Sequence, residues 1–390
     1  MLAVLAPLIV FGLVVFVHEL GHFLVAKLVG VYTPRFSIGF GPALLKKRWG
    51  ETEYILAAFP IGGYVRMASR DDEATAFLEG GSESAATQGA PKGEPLDPNA
   101  LIPFGPKPIP SSRWFESKPL PARLAIMLAG VTMNTLLALV VTTGMFAHYG
   151  SPYLSTRADS VFAGRPAALS GIRAGDSVVA INGVPATAWD SLVAKIGVSA
   201  GVPLVIDVVR GAGQRQFTVT PAAETLAAVA GQPAKVVGRI GIVPQQGSRR
   251  VSFAAAVEAG WRTTWGMAGS VIGALKGLAT RQVSPRELGG PIMIAQASVQ
   301  AARGGIENLL FLLALISINL AVFNLLPIPI LDGGQILVNV LESIKGSAFS
   351  AQTREYILRA GLAAVLLLFA LVTYNDLRRL FVSLIEKFGS

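Results

Sequence analysis

Two of the chain's three histidines stand four residues apart, in His18-Glu19-Leu20-Gly21-His22. On a helix that spacing puts both imidazoles on one face, where they can share a metal ion. A catalytic zinc ion keeps a position for water, and a carboxylate placed as Glu19 is can take that water's proton. The residues around the motif, from Leu2 to Val31, are almost wholly apolar. Imidazoles and a carboxylate in such surroundings are costly, and in membrane helices they mark functional sites.

Two histidines leave a catalytic zinc site incomplete. No cysteine is present, so the third ligand must be His, Asp or Glu. Asp332 is the best placed. It follows the apolar run Glu307 to Leu326 within Asn324-Leu325-Leu326-Pro327-Ile328-Pro329-Ile330-Leu331-Asp332-Gly333-Gly334. The prolines cannot continue a regular helix, and the paired glycines allow backbone shapes closed to other residues. Interrupted helix at membrane depth is tolerated where it lines a cavity or a buried site. The plainer reading is a loop at a membrane exit.

The elements that must position these groups follow from composition. Of the 390 residues, 52% are hydrophobic and 15% charged, which points to a polytopic α-helical membrane protein. The net charge of +9 does not indicate a nucleic-acid partner, because the basic residues cluster beside apolar segments. Four transmembrane helices are expected. Residues 1–31 form the first, with the histidine motif, and 32–68 a β-loop dipping toward the lipid bilayer. Residues 69–112, rich in Pro, Gly, Ser and acids, read as a flexible cytoplasmic linker, and 113–148 as the second span. A soluble α/β module occupies 149–245, an interfacial amphipathic helical region 246–305, and the third span with Asp332 306–335. A cytoplasmic loop is expected at 336–355, the fourth span at 356–376 and a tail at 377–390.

No Lys or Arg precedes Lys27, whereas Lys27, Arg35, Lys46, Lys47 and Arg48 follow the first span. Positive-inside bias therefore places the histidine motif toward the cytoplasm and the α/β module outside. The missing basic n-region and cleavage site argue for a retained first helix rather than a signal peptide.

The pairing of His18 to His22 with Asn324 to Gly334 resembles the site-2 protease family of intramembrane zinc metalloproteases, of the bacterial RseP type. Gly39-Phe40-Gly41, Pro60 to Val65, Phe115 to Pro119, Ala129-Gly130 with Asn134, and Gly290-Pro291-Ile292 add to the likeness. The resemblance implies that His18, His22 and Asp332 bind one zinc ion and that Glu19 activates water. It implies a role for Asn324 in holding the substrate or its reacting carbonyl. The region from Gly39 to Val65 corresponds to a membrane-re-entrant β-loop. Gly39, Phe40, Gly41, Gly62 and Gly63, with Asn134 of the second span, make up the expected substrate-binding set. For Asn134 an interhelical hydrogen bond stands as an equal alternative. Arg157 to Pro221 resembles a PDZ domain, with a peptide groove expected near Val161 to Ile172. Many proteins of this type carry two such domains in tandem; one is discernible here.

The expected partners are single-span membrane proteins or signal-peptide remnants in a bacterial inner membrane, with the PDZ-like module touching the substrate's extracytoplasmic part. Two rivals are a membrane zinc protease of another architecture and a membrane scaffold or transporter with a structural metal. A structural zinc normally has four protein ligands. Three are in view, and His148 falls on the opposite side of the expected topology.

Overall fold

In a computed structural model the chain is described over residues 2–69, 110–226 and 235–388, so most of the expected linker lies outside the described residues. The chain divides into two units. The first comprises residues 1–143, 260–275 and 284–390, and the second 144–259 and 276–283.

The first unit is built on α1 (Leu2–Leu28), α2 (Leu120–Tyr149) and, later in the chain, α7 (Ile306–Asn324). Among the described residues four helices are long and apolar enough to cross a membrane, these three and the last. At 1.5 Å per residue each covers the hydrocarbon thickness of a bilayer. Their contact is an apolar seam. Ala6, Val10 and Val14 of α1 meet Leu309, Leu313 and Ile316 of α7, with Leu137 and Val141 of α2 packed alongside. The spacing of four in the α1 set is one helix face.

The β-loop is two long strands, β1 (Arg35–Trp49) and β2 (Thr52–Arg66), that bend at glycines and pair twice over. Arg35 to Ile38 lie beside Glu53 to Leu56, with residue numbers rising together, and also beside Gly63 to Arg66, where they run opposite. Among the described residues, the strand partners of Gly63 to Val65 lie on one side only. The bends fall at the Gly39-Phe40-Gly41 and Gly62-Gly63 clusters. At Gly62 the backbone has φ +130°, and a Cβ would stand 2.1 Å from the Phe40 ring. Only glycine fits there, on both counts. The loop is tied back by Ala68 N–H to Tyr32 O and Tyr32 N–H to Arg113 O, and by Glu51, which accepts from Lys27 and Arg113.

In the second unit β3 (Ser151–Val161), β4 (Ser177–Ile181), β5 (Val184–Pro185), β6 (Leu204–Arg210), β7 (Gly213–Val219) and β10 (Ile242–Arg249) form one sheet. The order is β10-β3-β4-β6-β7, with β5 off β4. Helices α3 (Pro166–Ser170) and α4 (Trp189–Gly197) accompany it, and β8 (Ala222–Leu226) pairs with β9 (Lys235–Arg239). Ile172, Val178, Ile181, Leu192, Ile206 and Val208 fill the core. A cavity of about 500 Å³ lies between Pro152 to Leu154, Ala188 to Asp190 and Gln246. The peptide groove is expected nearer Val161 to Ile172. There Val161 pairs with Ile242 and Phe162 N–H donates to Gly241 O, so β10 takes one edge of that end of β3.

Asp176 is fully buried and takes two hydrogen bonds from Arg210, at 2.6 and 2.7 Å, plus one from the Arg173 N–H. The Arg210 guanidinium holds its carboxyl below the ordinary value. The unfolded chain then takes up the proton first, so the pair's contribution is whole above about pH 4 and is lost as pH falls through the folded-state value. We expect the thermal midpoint of Asp176→Asn protein to start lower and to fall less than wild type between about pH 5 and pH 3. Equal slopes would remove this pair as a source of acid sensitivity.

The rest of the helices correct several expectations. Region 246–305, expected to be helical, holds α5 (Phe253–Ala279) and α6 (Pro291–Arg303) after the end of β10 at Arg249. On α5 the exposed Trp261 and Trp265 rings meet edge to face at 5.5 Å. Asp332 is not part of the third span. That helix ends at Asn324, and Asp332 opens a separate helix, α8 (Asp332–Lys345). The loop expected at 336–355 is mostly helical, since α8 runs to Lys345 and α9 (Ala351–Phe388) begins six residues later. Asp332 in the first turn of α8, Lys345 in the last and a left-handed Gly346 beyond it are ordinary helix-end signals. The fourth span and the tail are one continuous helix as far as Phe388.

Two buried contacts hold α9. Glu342 of α8 accepts from Arg354 at 2.8 Å, and Asp376 accepts from the Gly290, Ile292 and Met293 N–H groups at the start of α6. Gly290-Pro291-Ile292 is thus a helix start whose free N–H groups are met by a carboxylate from another helix.

Candidate metal centre

The HExxH stretch lies within α1, so its two histidines project from one face. Their Nε2 atoms are 3.1 Å apart, and Asp332 Oδ2 stands 3.3 Å from the first and 3.5 Å from the second. Three groups binding one ion tetrahedrally at about 2.0–2.1 Å would be spaced roughly 3.3 Å apart. Asp332 Oδ2 is also a buried oxygen with no hydrogen-bond donor. Two imidazole nitrogens and an orphaned carboxylate oxygen, converging at this spacing, fit a divalent zinc ion. Among the described residues this is the one cluster of three such groups that could hold a metal.

Helix α2 makes the floor of the centre. Ile126, Gly130 and Asn134 are four residues apart and so share a face. The Ile126 carbonyl accepts His22 Nδ1–H at 2.8 Å, which leaves His22 Nε2 as the ring's lone-pair nitrogen. Gly130 lies flat under both rings: a Cβ there would be 2.5 Å from His22 Nε2 and 2.6 Å from His18 Cε1. One turn along, Asn134 Nδ2 is 3.4 Å from His18 Nδ1. Gly21, inside the motif, has the reciprocal fit, with a Cβ position 2.4 Å from Ala129 O. Small residues on both helices let the backbones approach closely, as in other membrane helix pairs.

Asp332 is presented by a tight turn. Gly333 and Gly334 are helical, with no left-handed backbone between them, so conformational freedom is not why glycine stands there. The reason is contact. A Cβ at Gly333 would lie 2.3 Å from Leu325 O, and one at Gly334 2.1 Å from Ile328 O. The prolines fold the segment 325–331 back across the first turn of α8.

Glu19 and Asn324 complete the surroundings. Glu19 interacts electrostatically with His18, His22 and Asp332, and its carboxylate accepts the Val65 N–H. Its Cγ would be 3.2 Å from a Cβ at Gly63, so α1 and the free edge of β2 touch. Asn324, the last residue of α7, has Nδ2 3.0 Å from His18 Nε2. All these groups open on a cavity of about 550 Å³, lined by His18, Glu19, His22, Gly62 to Met67, Asn324 and Asp332. Its far wall is Gln335, Asn339 and Glu342 with Arg354.

Of the expected substrate-binding residues, Gly62 and Gly63 line this cavity. Gly39, Phe40 and Gly41 do not; they form the bend behind it, where the Phe40 ring stacks on Tyr64. Asn134 is fully buried and reaches His18 rather than the cavity. The Ser317 hydroxyl of α7 donates at 2.8 Å to the backbone carbonyl of Asn134, a contact between helices that does not use the asparagine side chain. The sequence gives no sign of the parts played by the Ile126 carbonyl and the Val65 N–H, since any residue carries these groups. Gly130 could have been singled out by its place between Ile126 and Asn134 on one helix face.

A membrane unit with an HExxH helix and a histidine–aspartate cluster defines the class as a zinc metalloprotease of a multi-pass membrane protein. The family model of Peptidase family M50 matches residues 6–368, and the chain belongs to that family, the site-2 proteases. A Streptococcus pyogenes serotype M1 protein, assigned by name to the zinc metalloproteases, is 32% identical over 430 residues, covering 98% of this chain and 100% of the relative. Zinc metalloprotease RasP of Geobacillus kaustophilus is 30% identical, with 97% of this chain and 99% of the relative covered. The regulator of sigma-W protease RasP of Bacillus subtilis is 29% identical over the same shares. The protein is accordingly a zinc-dependent metalloendopeptidase.

Proposed function

We propose that this enzyme cuts peptide bonds within the membrane, in the transmembrane segments of single-span proteins or in signal-peptide remnants. One observation carries the reading: the histidine–aspartate cluster lies in one cavity with a strand that, among the described residues, has strand partners on one side only. His18, His22 and Asp332 hold the ion. Bound zinc supplies an acidified water and a polarised substrate carbonyl. Glu19 takes the proton released in the attack and passes it to the leaving amine. Asn324, at the edge of the cluster, donates its amide N–H to the oxygen on which charge develops.

A transmembrane helix hides its peptide bonds in its own hydrogen bonds, so the substrate has to be extended before attack. The edge from Gly62 to Val65 can accept an added strand and satisfy the substrate's freed backbone groups. Gly39, Phe40 and Gly41 hold that edge in shape from behind. Basic residues after the first span support a cytoplasmic position for the centre, in a bacterial inner membrane. The second unit reads as a PDZ-like domain outside, which binds or screens the substrate's extracytoplasmic part. The name of the Bacillus subtilis relative links it to sigma-W. By that likeness, substrates here include membrane-bound anti-sigma factors already shortened by another protease.

The reading is tested with purified full-length enzyme and a single-span substrate in detergent, the new termini being located by mass spectrometry. Termini inside the apolar segment are expected; cuts confined to the polar flanks would overturn it. In parallel, Asp332→Ala should lower bound zinc at least tenfold by elemental analysis, in line with the loss of one of three ligands. Unchanged stoichiometry would exclude Asp332 as a ligand.

A further inference from the structure

The two imidazoles of the centre are not held alike. Both present Nε2 to the place where the ion would sit. A neutral imidazole with its lone pair on Nε2 carries its hydrogen on Nδ1, and that N–H needs an acceptor when buried. His22 has one, the Ile126 carbonyl at 2.8 Å. For His18 the neighbour is the Asn134 amide, 3.4 Å away with its Nδ2 toward the ring. In that pose two donors would face each other once Nε2 binds metal. Meanwhile Asn134 Oδ1 is buried without a partner, in a residue with no exposed surface.

A half-turn of the amide changes this. An amide fills nearly the same space with its oxygen and nitrogen exchanged. The oxygen then meets His18 Nδ1–H, and Nδ2 takes over the unpartnered place. Resting on the assignment of His18 as a ligand, we propose that Asn134 is the positioning residue of the centre. Its amide oxygen accepts the Nδ1–H of His18 and fixes the tautomer that offers Nε2 to zinc. Ser317 Oγ–H, at 2.8 Å from the backbone carbonyl of Asn134, ties this turn of α2 to α7, and Gly130 one turn earlier lets the His18 ring lie close to the same helix face. The family of interactions is familiar chemically: ligating histidines commonly have their second nitrogen fixed by an oxygen acceptor. Here the two histidines get it from different sources, a backbone carbonyl that mutation cannot remove and a side chain that it can.

Full-length protein in detergent serves for the test, with zinc affinity measured by competition against a chromophoric chelator. Asn134→Leu should bind zinc about 10–100-fold more weakly, the usual cost of losing such a partner. Asn134→Asp, which keeps an oxygen acceptor at the same reach, should remain within a few-fold of wild type. Asn134→Ser, too short to reach the ring, should match the leucine variant and serves in its place if that protein misfolds. Cobalt-loaded protein gives a second readout, because a displaced His18 alters the visible absorption of the ion. Wild-type affinity in the leucine and serine variants, with zinc lost in His18→Ala, would overturn this inference alone. An aspartate variant as weak as the leucine variant would also overturn it, by showing that the acceptor is not what matters. Zinc retained by His18→Ala would overturn the ligand assignment itself.

Discussion

Glu19→Gln enzyme should cleave a single-span substrate about 10²–10⁴-fold more slowly than wild type while keeping its zinc and its fold. The change is nearly isosteric. The glutamine oxygen can still accept the Val65 N–H that Glu19 accepts, so the junction between α1 and the β-loop survives. His18, His22 and Asp332 are untouched, and zinc content should stay near that of wild type. What disappears is a group able to take a proton, and an amide cannot replace it. The expected loss corresponds to about 3–5 kcal/mol of transition-state stabilisation. Rate and zinc must be measured on the same preparation. Cleavage near the wild-type rate would remove Glu19 from the reaction; a variant that loses both zinc and activity would make it a structural residue.

The second large effect is expected where no chemistry resides. Gly130→Ala should release zinc and abolish cleavage. Its Cβ would stand 2.5 Å from His22 Nε2, 2.6 Å from His18 Cε1 and 2.8 Å from His18 Nδ1, well inside contact distance. Neither ring can yield without cost. His22 is pinned through Nδ1 to Ile126 O, and His18 is flanked by Asn134 and Asn324. Forcing an extra methyl into a filled site typically costs about 1–3 kcal/mol in stability, and here the strain falls on two proposed ligands. Gly144→Ala on the same helix is the matched control, because among the described residues nothing beyond its own helical turns lies within 4 Å of its Cβ position. That substitution should leave zinc and rate unchanged and raise stability by up to roughly 1 kcal/mol through helix propensity. If both variants behave alike, the close packing at Gly130 does not shape the centre.

The sequence alone determined the parts that depend on local geometry and on chemistry. The spacing of His18 and His22 fixes a shared face because a helix repeats every 3.6 residues wherever it is placed. The apolar runs fix the spans because a bilayer demands length and composition, not particular neighbours. Asp332 could be picked from afar because few carboxylates lie beside an apolar run without cysteine or histidine to compete.

Tertiary structure decided the rest. The part of 336–355 in α8 looked like a loop because a helix of 14 residues is too short to read as a span. Gly333 and Gly334 suggest backbone freedom in the sequence, yet they are glycines because backbone oxygens of 325 and 328 press against them. Asn134 had two readings until its neighbours were known, since a polar group's partner lies across helices and not along the chain. The doubled register of β1 and β2, which leaves one edge beside the metal centre, likewise depends on pairing between segments far apart in number. Periodicity and composition act within a few residues; contacts between helices, and the open edge of a strand, exist only once the chain has folded around them.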